Sequence, residues 1–136
     1  MFLDTSVLVY AVDPSRPAHR ARARACINGS SGNPFVISTQ VLQEFYVSLT
    51  RSRQPRFDQV GAERAVRLFI DENVHTVGVS TILKTMESNR KWCQPLWDDL
   101  IVQSALESGR TRLLTEDMQH GRRYGQLVIE NPFLDI

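Results

Sequence analysis

Short apolar runs alternate along the chain with stretches in which apolar residues recur every three or four positions, a pattern that predicts strands interleaved with helices. Met1 to Leu3 reads as a short buried strand that stops at Asp4. A helix follows, opening at Thr5 or Ser6 as N-cap and carrying Val7, Leu8 and Ala11 on one face. Ala18 to Ile27 forms a second, arginine-rich helix, and Phe35-Val36-Ile37 a second strand. Ser38 or Thr39 caps a third helix whose apolar face is Val41, Leu42, Phe45, Tyr46 and Leu49. Residues 58–72 keep the helical period through Ala62, Ala65, Val66, Phe69 and Ile70. Val77 and Val79 suggest a minor strand or extended turn, and Thr81 to Asn89 a short helix. Pro95 forces a break. Asp98 to Ser108 is then helical up to Gly109 at C′, and Leu113-Leu114 and Leu127-Val128-Ile129 complete the strands.

Short apolar strands separated by helices imply a mostly parallel sheet covered on both faces, so the fold class is α/β. No repeat, low-complexity tract or linker divides the chain, and the loop signal from Gly29 to Pro34 falls inside one unit, so residues 1–136 read as a single domain. With 136 residues, 42% apolar and 23% charged, the chain can bury a sizeable core and is too apolar for a disordered one. No apolar run approaches the roughly 20 residues that span a bilayer, and the start of the chain carries no basic leader, which points to the cytoplasm and away from membranes. Cys26 and Cys93 lack CxxC or CxxH spacing and read as two buried thiols in a reducing compartment.

A net charge of +1 leaves a polyanionic partner open. Of the sixteen basic residues only Lys84 and Lys91 are lysine; the arginines cluster at Arg16/Arg20/Arg22/Arg24, Arg51/Arg53/Arg56, Arg110/Arg112 and Arg122/Arg123. The planar arginine fork suits phosphate oxygens, although each cluster reads equally well as a solvated surface.

The acids change the picture more. Ligands of open parallel sheets sit at the carboxyl ends of the strands, and Asp4 and Asp117 each follow one: Asp4 after Met1-Phe2-Leu3, Asp117 after Leu113-Leu114-Thr115. Either acid alone also serves as a helix cap. Asp98 shares the stripe of Ile101, Val102 and Ala105, whereas Asp99 faces Val102, Gln103 and Leu106 and reads as solvated. Glu44 lies beside Phe45 at the edge of a wide apolar face. An unpaired carboxylate near a core is costly, and a shared divalent cation answers that cost for all four. Oxygen-only ligands select Mg²⁺ or Mn²⁺ over zinc, and such ions hold a nucleophilic water against a phosphodiester. Thr115 is a candidate to hold that water or a carboxylate through its hydroxyl, although a threonine at a strand end is more often structural.

The chain resembles the PIN-domain family, and within it the VapC-type toxins of toxin–antitoxin systems. The resemblance rests on Phe2-Leu3-Asp4-Thr5-Ser6-Val7-Leu8-Val9-Tyr10, Ser38-Thr39-Gln40-Val41-Leu42-Gln43-Glu44-Phe45-Tyr46, Leu96-Trp97-Asp98-Asp99-Leu100-Ile101-Val102 and Leu113-Leu114-Thr115-Glu116-Asp117-Met118-Gln119-His120-Gly121. The resemblance covers nearly the whole chain, and these pieces stand in the family's order and approximate spacing. The resemblance implies a three-layer α/β/α domain with a central sheet of about five strands. It also implies a metal-dependent endoribonuclease acting on RNA, with Asp4, Glu44, Asp98 and Asp117 as its acids and Thr115 beside them, a homodimer, and an antitoxin that occupies the groove. Two departures stand out. Ser6 replaces the asparagine often found there, and Asp99 stands where a small residue is common. Asp99 and Glu116 therefore compete with Asp98 and Asp117, and Ser6, Asp99 and Glu116 form a candidate outer shell.

His19, His75 and His120 show no metal-ligand spacing and read as packing or surface residues, with His120 near enough to Asp117 to approach substrate. Trp92, Trp97, Tyr46 and Phe45 fit core or dimer contacts better than base stacking. No GxxxxGK[ST], GxGxxG or GxSxG occurs. A non-catalytic RNA-binding or regulatory module of the same fold is the main alternative. A phosphoacceptor receiver would need a lysine after a late strand, and neither Lys84 nor Lys91 follows one.

Overall fold

The computed structural model describes residues 1–29, 34–51 and 57–136. Its order is β1 (Phe2–Leu3), α1 (Thr5–Val12), α2 (Pro17–Asn28), β2 (Val36–Ser38), α3 (Thr39–Thr50), α4 (Gln59–Arg67), β3 (Asn73–His75), α5 (Val79–Trp92), α6 (Leu96–Glu107), β4 (Arg112–Leu114), β5 (Arg123–Tyr124) and β6 (Leu127–Glu130). Residues 30–33 of the expected loop, and Arg53 and Arg56, lie outside the described residues.

The sheet runs β3-β2-β1-β4-β6-β5 and is parallel except for β5 against β6. From β1 the chain steps outward through β2 to β3, then crosses back to lay β4 on the other side of β1. Right-handed crossovers in opposite directions place α1–α4 on one face and α5–α6 on the other. The contacts agree: α5 packs on α6, while α1 packs on α2 and α3, and α3 on α4. This is the expected α/β architecture, with six strands rather than about five.

The core fills both sides of the sheet. Phe2, Leu3, Ile37, Leu113, Leu127 and Ile129 come from the strands, and Val7, Leu8, Val41, Phe45, Leu49 and Ile101 from the helices; all are buried. Fully burying each such side chain contributes about 1.5–3 kcal/mol. Phe45 meets Phe69 edge to face, 5.7 Å between ring centroids. Among the described residues no helix is long and apolar enough to cross a membrane.

Local chemistry sets the element ends. Asp4, rather than Thr5 or Ser6, caps α1 and accepts from the Thr5 amide. Ser38 caps α3 by accepting from Val41 N. Pro95 separates α5 from α6, and Gly109 past α6 takes the left-handed conformation expected of it (φ 68).

Several expectations need correction. The strand expected around Val77 and Val79 lies instead at Asn73–His75, and Val79 opens α5. This edge strand has one apolar residue, Val74, between two polar ones, so hydropathy does not mark it. The helix expected over 58–72 stops at Arg67. β5 was not expected: it has two residues and turns into β6 through Gly125 (φ 60), a two-residue hairpin that needs positive φ at its first position. Cys26 is half-buried and Cys93 exposed, so the two free thiols are not both interior. Trp97 is 65% exposed, which removes it from the core.

Candidate active site

The direction of chain travel reverses between β1 and β4, the switch point where open α/β sheets gather ligands. Phe2 and Leu3 pair with Leu113 and Leu114, and the ladder continues as Asp4 N donates to Leu114 O at 3.0 Å. Asp4 and Thr115 therefore leave neighbouring strands side by side.

Asp4 is 5% exposed. Its Oδ1 accepts from Thr5 N at 2.7 Å and its Oδ2 from the Thr115 hydroxyl at 2.6 Å. Burial pushes its carboxyl up to about 7; the two hydrogen bonds oppose that, and the charges of Asp117 and Glu44 add to it. Thr115 is wholly buried and also accepts from Asp117 N at 3.1 Å, so one hydroxyl ties two acids together.

Glu44 reaches the same place from the second turn of α3. Its Oε2 accepts from the Thr5 hydroxyl at 2.8 Å and its Oε1 from Gln40 Nε2 at 2.9 Å. Asp98, half-buried in the first turn of α6, has its carboxyl raised first by burial, then by Asp117, Asp99 and Glu44. Asp117 stands on the exposed rim, raised by the bulk of protein around it and then by Glu116 and Glu44. Burial is thus the first cause at Asp4, Asp98 and Asp117, and the charges that add to it are other carboxylates: Glu44 bears on all three, and Asp117 on Asp4 and Asp98.

The residues in question beside them separate cleanly. Glu116 is held by the Tyr10 hydroxyl at 2.7 Å, its amide donates to Ser6 Oγ at 3.3 Å, and Arg16 donates to that same Tyr10 oxygen at 3.1 Å. Ser6 therefore orients the backbone at Glu116. Asp99 is not solvated: it is 0% exposed. Its Oδ2 accepts from Asn89 Nδ2 at 2.6 Å and its Oδ1 from Gln94 Nε2, while Gln94 Oε1 accepts from Tyr124 and Arg122. The cause is that α6 is buried over Asp99 to Ala105, so there is no solvent face for Asp99 to take.

A cleft of about 530 Å³ opens between α1 and α3, lined by Thr5, Val9, Gln43, Glu44, Val47 and Asp117 among others. His120 Nδ1 accepts from Asn131 N at 3.0 Å, His19 stacks on Phe133, and His75 contacts Glu107, so all three histidines have structural partners. Arg22 pairs with Asp135 and Arg112 with Glu130, while Arg122 lies over the Tyr124 ring. These arginines are engaged within the fold.

The donor set fits a hard divalent ion: carboxylate oxygens and a hydroxyl, with no Lys or Arg paired to Asp4, Glu44, Asp98 or Asp117 among the described residues. Among the described residues, no three Asp, Glu, His or Cys side chains close around one point as they stand, so ligation requires side chains to turn toward the ion. Gln40 and Thr5, which hold Glu44, were not expected in the site. The Gln40–Glu44 spacing of one helical turn was the available signal.

A profile of the PIN domain family matches residues 1–125. No curated protein sequence matches the chain. The fold is similar to Mycobacterium tuberculosis VapC20, described as a Sarcin-Ricin loop cleaving toxin (TM-score 0.66, 20% identity, 82% of this chain and 85% of that one). It is also similar to Rickettsia felis VapBC2 bound to a DNA fragment from its promoter (0.67, 18%, 96% of each) and to a toxin–antitoxin complex from Klebsiella pneumoniae (0.70, 15%, 97% of each). With a profile match over most of its length and the switch-point acids in place, this chain belongs to the PIN domain family.

Proposed function

We propose that the protein is a divalent-metal-dependent endoribonuclease, the toxin of a toxin–antitoxin pair, acting on RNA in the cytoplasm. The observation that carries this reading is geometric: at the sheet's switch point the Thr115 hydroxyl donates to Asp4 and accepts from the Asp117 amide, Thr5 bonds both Asp4 and Glu44, and the charges of Asp117 and Glu44 also bear on Asp98. Carboxyl groups raised first by burial and then by neighbouring acids, beside a cleft that Glu44 and Asp117 line, form a site prepared for positive charge.

Asp4, Glu44, Asp98 and Asp117 would hold Mg²⁺ or Mn²⁺. Such an ion, when bound, acidifies a water and offsets charge on a phosphodiester. The chain's own residues supply placement. Thr115 donates to Asp4 Oδ2, leaving that oxygen's other lone pair for a ligand, and Thr5 fixes Glu44. The acids repel an RNA backbone until they are neutralised, so binding and cleavage both depend on the metal.

Purified protein is expected to cut single-stranded RNA with Mn²⁺ and to lose that activity in excess EDTA. Cleavage that persists in EDTA overturns the metal role. The non-catalytic alternative draws on the acids not closing around one point; calorimetric titration with Mn²⁺ decides, since a module without a metal site shows no binding.

Two partners belong to this reading. The relatives named above include a VapBC assembly and a toxin–antitoxin complex, which supports a cognate antitoxin here. Val79, Ile82, Leu83 and Met86 form an exposed apolar stripe at helical spacing on α5, which supports a homodimer. Leu83→Glu is expected to turn a dimer into a monomer by light scattering; a wild type that is already monomeric refutes the dimer.

A further inference from the structure

Gln40 occupies an unusual position for its chemistry. It lies on the buried side of α3, 6% exposed, next to Val41 and one turn before Glu44. An amide there needs partners at both ends. Nε2 has two: Glu44 Oε1 at 2.9 Å and Trp97 O at 3.0 Å. Both are acceptors, which fixes the amide orientation with nitrogen toward them. Oε1 is buried without a donor among the described residues. A side chain kept for packing alone gains nothing from that oxygen, and methionine would fill the space without it.

What the amide joins gives the reason. Glu44 belongs to α3 on one face of the sheet. Trp97 O belongs to the peptide unit leading into Asp98, at the start of α6 on the other face. We propose that Gln40 is a positioning residue, a clasp between α3 and α6 that sets the spacing of Glu44 and Asp98. Glu44 is then held at both oxygens, Oε2 by Thr5 and Oε1 by Gln40, and its carboxylate keeps one orientation. Asp98 is held through its backbone. Partners of this kind set metal affinity without touching the metal. The inference rests on the metal-site reading for its effect on affinity, but not for the clasp itself.

The test is Gln40→Met, with Mn²⁺ affinity by calorimetry, thermal unfolding in EDTA, and a crystal structure of the metal-free variant. Mn²⁺ affinity is expected to fall about tenfold while the melting temperature holds or rises, because a buried unpaired oxygen is gone. A merely structural glutamine gives the opposite pattern, lower melting temperature with unchanged affinity, and that result, or a variant that does not fold, overturns the proposal. If the wild type binds no Mn²⁺, the metal reading fails and the crystal structure alone judges the clasp. Displacement of the Glu44 carboxylate from its place beside Thr5 supports it; an unmoved Glu44 refutes it.

Discussion

Replacing Asp4 with asparagine is expected to lower RNA cleavage by about a hundredfold or more and, in the absence of metal, to stabilise the protein at neutral pH. The second effect follows from proton linkage. In the unfolded chain an aspartate titrates near its ordinary value of ~3.9, whereas in the fold Asp4 titrates at about 7. Between those values the folded protein keeps a proton that the unfolded chain has released. Stability is therefore fully present below the unfolded value and is lost as pH rises from about 4 to about 7. A shift of this size corresponds to at most ~4 kcal/mol.

Asparagine is neutral throughout, so it removes the loss. Its oxygen can still accept from Thr5 N, and its amide group meets the Thr115 hydroxyl with reduced geometry, a cost of about 1 kcal/mol. Melting in EDTA at pH 7.5 is expected to occur several degrees higher in Asp4→Asn than in wild type, about 3 °C for each kcal/mol gained, with the two converging near pH 4.5. Added Mn²⁺ should raise the wild type and leave the variant unchanged. A variant that melts below wild type at pH 7.5 would mean that Asp4 is held as a structural cap and not as a strained ligand.

The positions of Asp4 and Asp117 were readable because strand ends are readable. Met1-Phe2-Leu3 and Leu113-Leu114 are short apolar runs, and the residues that follow them fall on one edge of any parallel sheet. The third helix was equally plain, since Val41, Phe45 and Leu49 mark one face and Ser38 its start. β3 and β5 were not, because an edge strand with one valine and a two-residue strand closed by Gly125 carry no periodic signal. The bonds that hold the site open a second gap. Gln40 meets Trp97 and Gln94 meets Tyr124 across separations of 57 and 30 residues, and no local pattern announces such a pairing. Asp99 shows the limit of helical register itself. Ranking Asp98 over Asp99 assumed one buried stripe, yet α6 buries Leu100, Gln103 and Ser104 as well as Ile101, Val102 and Ala105. A helix covered on nearly all sides has no stripe to rank by.

The same substitution at these two adjacent positions is expected to give opposite results. Asp98→Asn removes a half-buried charge whose pKa is raised first by burial and then by its acidic neighbours. Folding should be unchanged or slightly improved, and cleavage should fall about a hundredfold or more, because the ligand proposed on α6 is gone. Asp99→Asn keeps the shape but turns an amide nitrogen toward donors. Asn89 Nδ2 and Gln94 Nε2 both donate to this carboxylate, and an amide oxygen can satisfy only one of them in the same place. One buried donor left facing another costs about 3 kcal/mol, or roughly 10 °C of melting temperature for a domain of this size. The strain should spread, since Gln94 also anchors Tyr124 and Arg122 of the β5 hairpin. The folded fraction, assayed well below its melting point, should retain Mn²⁺ binding and cleavage within about tenfold of wild type, the range of an outer partner. Should Asp99→Asn melt normally and lose metal while Asp98→Asn keeps it, the roles of the two acids must be exchanged, and with them the account of which side of α6 faces the site.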